Sequence, residues 1–233
     1  MRAGTFSSSA IYKLTTNGKA KGELGKPALT YIRETQIELR LGRALNTDLS
    51  SRPALWGTLV EAYVNDMHVG LEYELASTER LVHPEFKNWT GAPDLISETC
   101  VGDIKCPQLK AFCDLSDICL SDDVFELKSS YPEYYWQLVS NAILTGKEEA
   151  ELMIFCPYQD ELDDIRALAK ESDDKFKYIV FADDSELPYL IRGGYYKNVA
   201  RMRWNVNEED KAFLTQRVRI AIDKLCTDTT ISV

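Results

Sequence analysis

Two short apolar runs, joined by a few polar residues, most constrain the fold of this chain. They lie in the segment GAPDLISETCVGDIKCP, from Gly91 to Pro107. Their length and the turn residues around them predict a β-hairpin. Asp94 is on the first predicted strand, and Asp103 and Lys105 are on the second. Charged side chains are rarely buried unless they are paired or bind a metal, so these residues either are exposed on an ordinary hairpin or converge on a cation.

The periodicity of the apolar residues predicts an α/β layered fold. Predicted helices cover about residues 28–45, 53–68 and 131–145, and a final helix follows Asn207. Predicted strands cover about residues 71–75, 79–83, 92–96, 101–106, 151–158 and 176–182. The stretch CDLSDICLSDDVFE, at 113–126, is expected to be an acidic loop.

The chain of 233 residues shows no internal repeat and no long linker, so we expect a single domain over residues 1–233. The core is expected at about 27–185, with a C-terminal helical extension at about 195–228. No apolar run approaches the roughly 20 residues needed to span a bilayer, and the N-terminus lacks the apolar stretch of a secretory signal. We therefore expect a cytoplasmic protein with no membrane partner and with free cysteine thiols.

The charge of the chain is unevenly distributed. The net charge is −10, yet residues 1–43 hold eight Lys/Arg and three Asp/Glu, a balance of +5, which leaves −15 for the rest. A second basic cluster, RGGYYKNVARMR from Arg192 to Arg203, contains four basic residues, no acidic residue and two tyrosines. Two basic islands in an acidic body suit contacts with nucleic-acid phosphates. On charge alone, solvated surface remains the alternative interpretation.

The predicted hairpin would assemble a specific chemistry. Side chains of a strand alternate between faces, so Asp103 and Lys105 project to one side and Ile104 to the other, with Asp94 on the neighbouring strand. Two adjacent carboxylates repel unless a proton or a cation neutralises them. Mg²⁺ takes one or two carboxylates with waters and phosphate oxygens, and the Ile104 carbonyl offers a further oxygen. A lysine beside such a cation suits phosphodiester hydrolysis, because it can position water and stabilise negative charge.

Each of these residues also has an ordinary structural interpretation. Asp94 could cap a turn after Pro93, and Asp103 and Lys105 could form a solvated strand face. Glu61, beside the apolar stripe of the predicted helix 53–68, would usually be a surface residue. All of these structural interpretations would have to be true at once for the residues not to form a nuclease site, so we favour the nuclease site.

Pro93-Asp94 followed by Asp103-Ile104-Lys105 resembles the PD-(D/E)-x-K nuclease signature. Four segments are similar, more narrowly, to the YqaJ-type viral recombinase family, also known as the phage lambda exonuclease family, over roughly residues 27–160. They are GTLVE (57–61), GAPDLI (91–96), GDIKCP (102–107) and YYWQLVSNAILTG (134–146). The resemblance implies a restriction-endonuclease-like αβββαβ core, in which a central mixed sheet is flanked by helices.

The resemblance also implies roles for particular residues. Asp94 and Asp103, with the Ile104 carbonyl, would bind Mg²⁺ or alternatively Mn²⁺, and Lys105 would be the catalytic lysine. Glu61 would be the acidic residue of the upstream helix at the same site. Gln137 matches a glutamine that supports the active site or the scissile phosphate. The sequence departs from the family pattern at Asp103, where Glu is commoner.

Other family features are less securely matched. A further acidic ligand has only Glu85 and Glu79 as candidates, and a 5′-phosphate site has only Ser7 to Ser9 or Lys13. The predicted DNA-binding residues are Lys13, Arg33, Tyr135, Arg192, Lys197 and Arg201. The implied partners are double-stranded DNA and a single-strand annealing protein. A ring of identical copies, with a trimer favoured, is expected in a bacterial or phage-infected cell.

Three functions are therefore compared. The first is a Mg²⁺-dependent 5′→3′ double-strand exonuclease that serves recombination. The second is a restriction-like or repair endonuclease of the same fold; a CRISPR-type spacer nuclease is disfavoured because no cysteine precedes Cys100. The third is a non-catalytic DNA-binding protein on a decayed nuclease fold, which the presence of the core residues disfavours.

Overall fold

The computed structural model describes residues 3–20, 22–45, 51–67, 74–75 and 80–227. Its helices are α1 (Lys26–Leu41), α2 (Arg52–Met67), α3 (Leu109–Ser121), α4 (Val124–Ser130), α5 (Pro132–Thr145), α6 (Leu162–Glu171), α7 (Lys177–Phe181) and α8 (Glu208–Thr227). Its strands are β1 (Phe6–Ser7), β2 (Glu74–Leu75), β3 (Leu81–Val82), β4 (Trp89–Gly91), β5 (Leu95–Ile96), β6 (Cys100–Lys105), β7 (Glu149–Phe155) and β8 (Val199–Asn205).

The central sheet is mixed and has the strand order β2-β5-β6-β7-β8. β6 pairs antiparallel with β5 and parallel with β7, while β2 and β8 are antiparallel edge strands. The predicted hairpin is confirmed, with Leu95 opposite Gly102 and Ile96 opposite Val101. The sequence of elements α2, β2, β5, β6, α5, β7 gives the predicted αβββαβ core. A small second sheet, β1-β4-β3, combines the N-terminal β1 with β3 and β4, which lie between β2 and β5 in the chain.

The two faces of the central sheet are covered by different helices. Along β7, Leu152 and Ile154 join the apolar cluster that contains the buried side of α5, which we call the α5 face. Met153 and Phe155 join the cluster that contains the buried side of α2, which we call the α2 face. Because successive side chains of a strand point to opposite faces and both faces are covered, β7 is apolar from Leu152 to Phe155, after the acidic Glu149 and Glu151.

The ends of α1 and α5 follow from proline and glycine. Each helix has a proline in its first turn, where the missing N–H is tolerated. Gly42 (φ 67°) follows α1, and Gly146 (φ 68°) follows α5, in the left-handed region that glycine adopts readily. Gly146 ends α5 as predicted, whereas α1 ends before the predicted Leu45.

Two predicted elements are wrong. The expected acidic loop at 113–126 consists mainly of α3 and α4, because the buried Phe112, Leu115 and Cys119 recur at helical spacing beneath the acidic residues. The strand expected at 176–182 is mostly the short helix α7, in which Ile179 is buried and Phe181 is exposed. Short apolar runs do not distinguish a strand from a helix.

The C-terminal part of the chain also differs from the expected division into a core and a helical extension. Residues 199–205, expected in a helical extension, form β8, which pairs with β7 along its length. Met202 and Trp204 are buried and alternate with the exposed Arg201 and Arg203, which is the pattern of an edge strand with one covered face. The sheet therefore extends beyond the expected core limit near residue 185. Within the described residues, no helix has both the length and the apolar character required to cross a membrane.

Candidate active site

The middle strand β6 carries two of the predicted catalytic side chains. Asp103 is opposite Leu152, and Lys105 is opposite Ile154, in the parallel register with β7. Both side chains are therefore on the α5 face, while Ile104 packs into the α2 face. Asp103 is only 1% exposed and forms an ion pair with Lys105 Nζ. The prediction that these two residues share one side of the strand is confirmed.

Asp94 is fixed against this strand by its side chain and its backbone. Asp94 Oδ2 accepts a hydrogen bond from the Ile104 N–H at 2.8 Å, between the two catalytic positions. The Asp94 N–H donates to the Gly102 carbonyl at 3.2 Å. The residue just before β5 is thus held at the position where its carboxylate neighbours Asp103.

Glu61 approaches the same place from α2. Burial and, next, the negative charge of Asp94 together raise the pKa of Glu61 to about 7, although Lys105 opposes the shift. Burial also raises the pKa of Asp103 well above its usual range. Burial lowers the pKa of Lys105, but the charges of Asp103, Asp94 and Glu61 outweigh this effect and raise it overall. We call these four residues the carboxylate cluster.

The carboxylate cluster holds more negative than positive charge. Its three carboxyl groups and one ammonium sum to −2 when all are ionised, and Asp103 Oδ1 has no hydrogen-bond partner among the described residues. An uncompensated buried carboxylate is unfavourable, and a divalent cation would balance the charge. No group of three His, Cys, Asp or Glu in the described part of the chain is arranged to share one metal. Mg²⁺ needs only one or two carboxylates with waters and phosphate, so Asp94, Asp103 and the Ile104 carbonyl remain a suitable donor set.

Helix α5 closes one side of the cluster. Lys105 Nζ is 5.9 Å from the centre of the Tyr134 ring, and Gln137 follows three residues later on the same face of the helix. Gln137 is 9% exposed. Sequence reasoning missed Tyr134 because the tyrosine pair allowed either residue to face the site. The apolar stripe that includes Tyr135 and Leu138 could have excluded Tyr135 and pointed to Tyr134.

Tyr135, which we predicted to bind DNA, is instead buried away from the cluster. Its ring stacks on Trp204 with centroids 5.9 Å apart, and its hydroxyl donates to Asp210 Oδ2 at 2.7 Å. Lys128 Nζ donates to both oxygens of Asp210, at 2.7 and 2.8 Å. We call Lys128, Tyr135 and Asp210 the Asp210 cluster.

The other predicted DNA-binding residues are distributed over several surfaces. Arg33 is exposed on α1, and Lys13 Nζ lies 5.2 Å from the centre of the Tyr31 ring. Arg192 donates to both oxygens of Asp160 at 3.0 and 3.1 Å. Lys197 and Arg201 lie beside or within β8, two strands from β6. The structure thus does not gather these residues around the carboxylate cluster.

The remaining candidates have mixed outcomes. Ser8 Oγ is 2.8 Å from Ser140 Oγ of α5, and Ser7 Oγ is 3.2 Å from Ser9 Oγ. Glu85 is exposed in the turn before β4. Glu79 and part of the expected strand 71–75 lie outside the described residues.

Comparison with solved structures places this geometry in a known fold. One match is the crystal structure of LHK-Exo in complex with dAMP, with a TM-score of 0.62 and 15% identity over 97% of this chain and 90% of that chain. A second structure, of the alkaline exonuclease LHK-Exo from Laribacter hongkongensis, has a TM-score of 0.60 and 16% identity over the same shares of the two chains. A third structure, of a phage-related exonuclease from Haemophilus somnus 129PT, has a TM-score of 0.61 and 15% identity over 97% of this chain and 96% of that chain.

The chain has the fold of these exonucleases. The fold expected from the resemblance is therefore confirmed over nearly the whole length of the chain. A scan against models of protein families and a search of curated proteins found no match.

Proposed function

We propose that this protein is a metal-dependent deoxyribonuclease, and specifically a phage-type 5′→3′ double-strand DNA exonuclease that acts in recombination. One observation carries the proposal: three carboxyl groups and a lysine converge on the middle strand of a sheet whose fold is shared with exonucleases. Their charge is unbalanced in the protein alone, which is typical of a site completed by a cation and a phosphate.

Asp94 and Asp103, with the Ile104 carbonyl, would hold Mg²⁺ or Mn²⁺. Such a cation supplies positive charge to the scissile phosphate and lowers the pKa of water. The residues perform the remaining tasks. Ion pairing keeps Lys105 protonated, so its ammonium donates hydrogen bonds to the attacking water or to a phosphate oxygen and does not act as a base. Glu61 orients Asp94 or adds a ligand from the α2 side.

Hydrolysis joins a water oxygen to phosphorus and breaks the bond from phosphorus to the leaving sugar oxygen; the water gives up a proton to solvent, and the leaving oxygen takes up a proton from solvent. Negative charge grows on the phosphate oxygens and on the leaving oxygen during this step. Gln137 lies on the face of α5 that Tyr134 presents to Lys105, where its amide can donate to a phosphate oxygen. The aromatic ring of Tyr134 stabilises the Lys105 ammonium beside it.

A digestion assay tests the proposal. Purified protein with Mg²⁺ is offered linear 5′-phosphorylated duplex, nicked circle and closed circle. We expect degradation of the linear duplex, loss of degradation in Lys105→Ala, and full activity in the control Lys170→Ala, which changes an exposed lysine on α6. Cutting of closed circles would identify an endonuclease of the same fold instead. Full activity in Lys105→Ala would refute the assigned site.

We further propose that double-stranded DNA is the substrate, that a single-strand annealing protein is a partner, and that copies of the chain assemble into a ring of three in the cytoplasm. The basic islands of an otherwise acidic chain support this arrangement, because a ring can bring them together along a channel. Sedimentation equilibrium with and without DNA measures the number of copies. A monomer under both conditions would refute the ring.

A further inference from the structure

A cavity of about 520 Å³ lies outside the carboxylate cluster, between α3 on one side and the segment from Tyr195 into the first residues of β8 on the other. Its volume is in the range of small-ligand sites. The lining combines aromatic, apolar, hydroxyl and basic groups. The residues that matter here are Ser116, Leu120, Tyr195, Tyr196, Lys197 and Arg201.

The aromatic side of the cavity presents an exposed ring on a fixed support. Tyr196 donates a hydrogen bond to Asp117 Oδ2 of α3 at 3.1 Å, which holds its ring against that helix. Tyr195 packs edge-on against Tyr196, with centroids 4.9 Å apart and an angle of 89° between the rings. Tyr195 is nevertheless 78% exposed, and Leu120 nearby is 70% exposed. An exposed ring held in place in this way suits stacking with a flat ligand.

The polar side of the cavity contains an unused hydrogen-bonding group. Ser116 is 3% exposed, yet its hydroxyl has no hydrogen-bond partner among the described residues. A buried polar group without a partner is unfavourable unless a ligand satisfies it. Lys197 is exposed at the rim of the cavity. Arg201 also lines the cavity, but its side chain projects to the other face of β8, with its Nε 3.9 Å from Glu151 Oε1. The positive charge of Lys197 suits a phosphate.

The register of the central sheet relates this cavity to the active site. Lys105 of β6 is opposite Ile154 of β7, which is opposite Ala200 of β8. Ala200 lines the cavity. Neighbouring strands are about 4.8 Å apart, so the backbone of Ala200 lies about 10 Å from that of Lys105 across the sheet. The cavity is therefore within reach of nucleotides that neighbour the one at the active site.

We propose that this cavity binds one nucleotide of an unpaired DNA strand. The base stacks on Tyr195, the phosphate contacts Lys197, and Ser116 forms a hydrogen bond with the sugar or the base. An unpaired strand is the occupant because its bases offer free faces to aromatic side chains, whereas those of a duplex are stacked on each other. The proposal rests on the proposed function, since DNA degradation from one end exposes such a strand.

Fluorescence anisotropy with a labelled 12-nucleotide oligothymidine tests the proposal. The full chain is used in EDTA, so that hydrolysis does not contribute to the signal. Loss of one stacked base weakens binding by about tenfold to a hundredfold, and we expect a loss of this size in Tyr195→Ala. Tyr195→Phe should bind like the wild type, because it keeps the ring. The control Phe181→Ala removes a ring that is 82% exposed on α7 and should have no effect.

A second measurement locates the contact directly. Irradiation of a complex with a 5-bromodeoxyuridine oligonucleotide should attach the strand to the peptide that contains Tyr195 and Tyr196. Wild-type affinity in Tyr195→Ala together with attachment elsewhere would overturn the proposal. Equal affinity for thymidine 5′-monophosphate and the oligonucleotide would overturn the assignment to a strand.

These results are separable from the test of nuclease activity. Binding in EDTA does not require a working carboxylate cluster. An inactive protein that binds the oligonucleotide through Tyr195 would refute the proposed function but retain the cavity. If the protein is an active nuclease and Tyr195→Ala leaves oligonucleotide binding unchanged, the proposed function is retained and the cavity proposal is refuted.

Discussion

Consecutive tyrosines of α5 face two clusters of charged groups that differ in how completely they are paired. Tyr135 contributes to the Asp210 cluster, where Lys128 and the tyrosine hydroxyl make three hydrogen bonds to one carboxylate and one positive charge balances one negative charge. Tyr134 lies beside the carboxylate cluster, where three carboxyl groups share one lysine. The Asp210 cluster is balanced within the protein, whereas the carboxylate cluster has two more negative than positive charges when all four groups are ionised.

This difference separates structural from functional charge. Both clusters are partly or fully buried, so burial alone does not identify a site. Charge balance and hydrogen-bond satisfaction do, because buried carboxylates that the protein's own groups do not compensate must take up a proton or bind a cation. Changes in the Asp210 cluster should therefore alter stability, and changes in the carboxylate cluster should alter activity.

The largest expected effect is on cleavage. Lys105→Met removes the ammonium that stabilises charge in the transition state, so the rate on linear duplex should fall at least about a hundredfold. Lys128→Met, in the Asp210 cluster, should stay within a fewfold of the wild-type rate. Initial rates of the two variants at saturating substrate measure the contrast. Equal losses in both variants would remove the distinction between the clusters.

The second effect is on stability. Asp210→Ala leaves Lys128 and the Tyr135 hydroxyl without their shared acceptor, and should lower the free energy of unfolding by about 2 to 3 kcal/mol. Glu208→Ala on the same helix breaks an exposed ion pair with Lys211, and should change the free energy of unfolding by less than about 0.5 kcal/mol. Urea denaturation measures both values. A loss in Asp210→Ala as small as that of the control would show that the cluster is not structural.

The third effect is a gain in stability in a pH window. In the metal-free protein the pKa of Glu61 is raised to about 7, first by burial and then by Asp94. A raised pKa means that the folded state binds the proton more tightly than the unfolded state. The stabilisation is thus complete below about pH 4.5 and is lost as the pH rises through about 7.

Glu61→Gln removes this dependence, so in EDTA at pH 8 it should be more stable than the wild type, by about 1 to 3 kcal/mol. Urea denaturation at pH 5 and pH 8 measures the change. Parallel stability profiles for the two proteins would show that Glu61 is not destabilised by its surroundings.

The smallest effect sharpens the comparison within α5. Tyr135→Phe removes a single hydrogen bond to Asp210 and should reduce the free energy of unfolding by about 1 kcal/mol, with cleavage unchanged. Tyr134→Leu removes the ring beside Lys105 and should reduce cleavage severalfold, with a smaller change in stability. Thermal melting and initial rates together check the pair. If Tyr135→Phe instead reduced cleavage and Tyr134→Leu mainly reduced stability, the roles assigned to the two tyrosines would be reversed.

The sequence predicted the parts of the molecule in which local pattern and chemistry agree. The hairpin of β5 and β6 and the helix α5 have clear periodicity and end at turn residues, so their positions and the convergence of Asp94, Asp103 and Lys105 could be anticipated. Glu61 was expected at the same site through a resemblance, and its raised pKa supports that position.

The rest depended on tertiary contacts that a local pattern does not contain. Acidic residues concealed the apolar stripe of α3, and the arginines of β8 made a covered edge strand resemble a basic surface segment. The choice between Tyr134 and Tyr135 required the position of α8, which supplies Asp210. Likewise, the cavity beside Tyr195 forms only when α3 packs against β8.

Calorimetric titration of Mn²⁺ into the full chain tests the central claim most directly, namely that the carboxylate cluster is incomplete without a cation. We expect binding to the wild type and to Asp210→Asn with similar affinity, and binding at least about tenfold weaker in Asp103→Asn. Equal affinity in the wild type and Asp103→Asn, or no binding to the wild type, would contradict this claim.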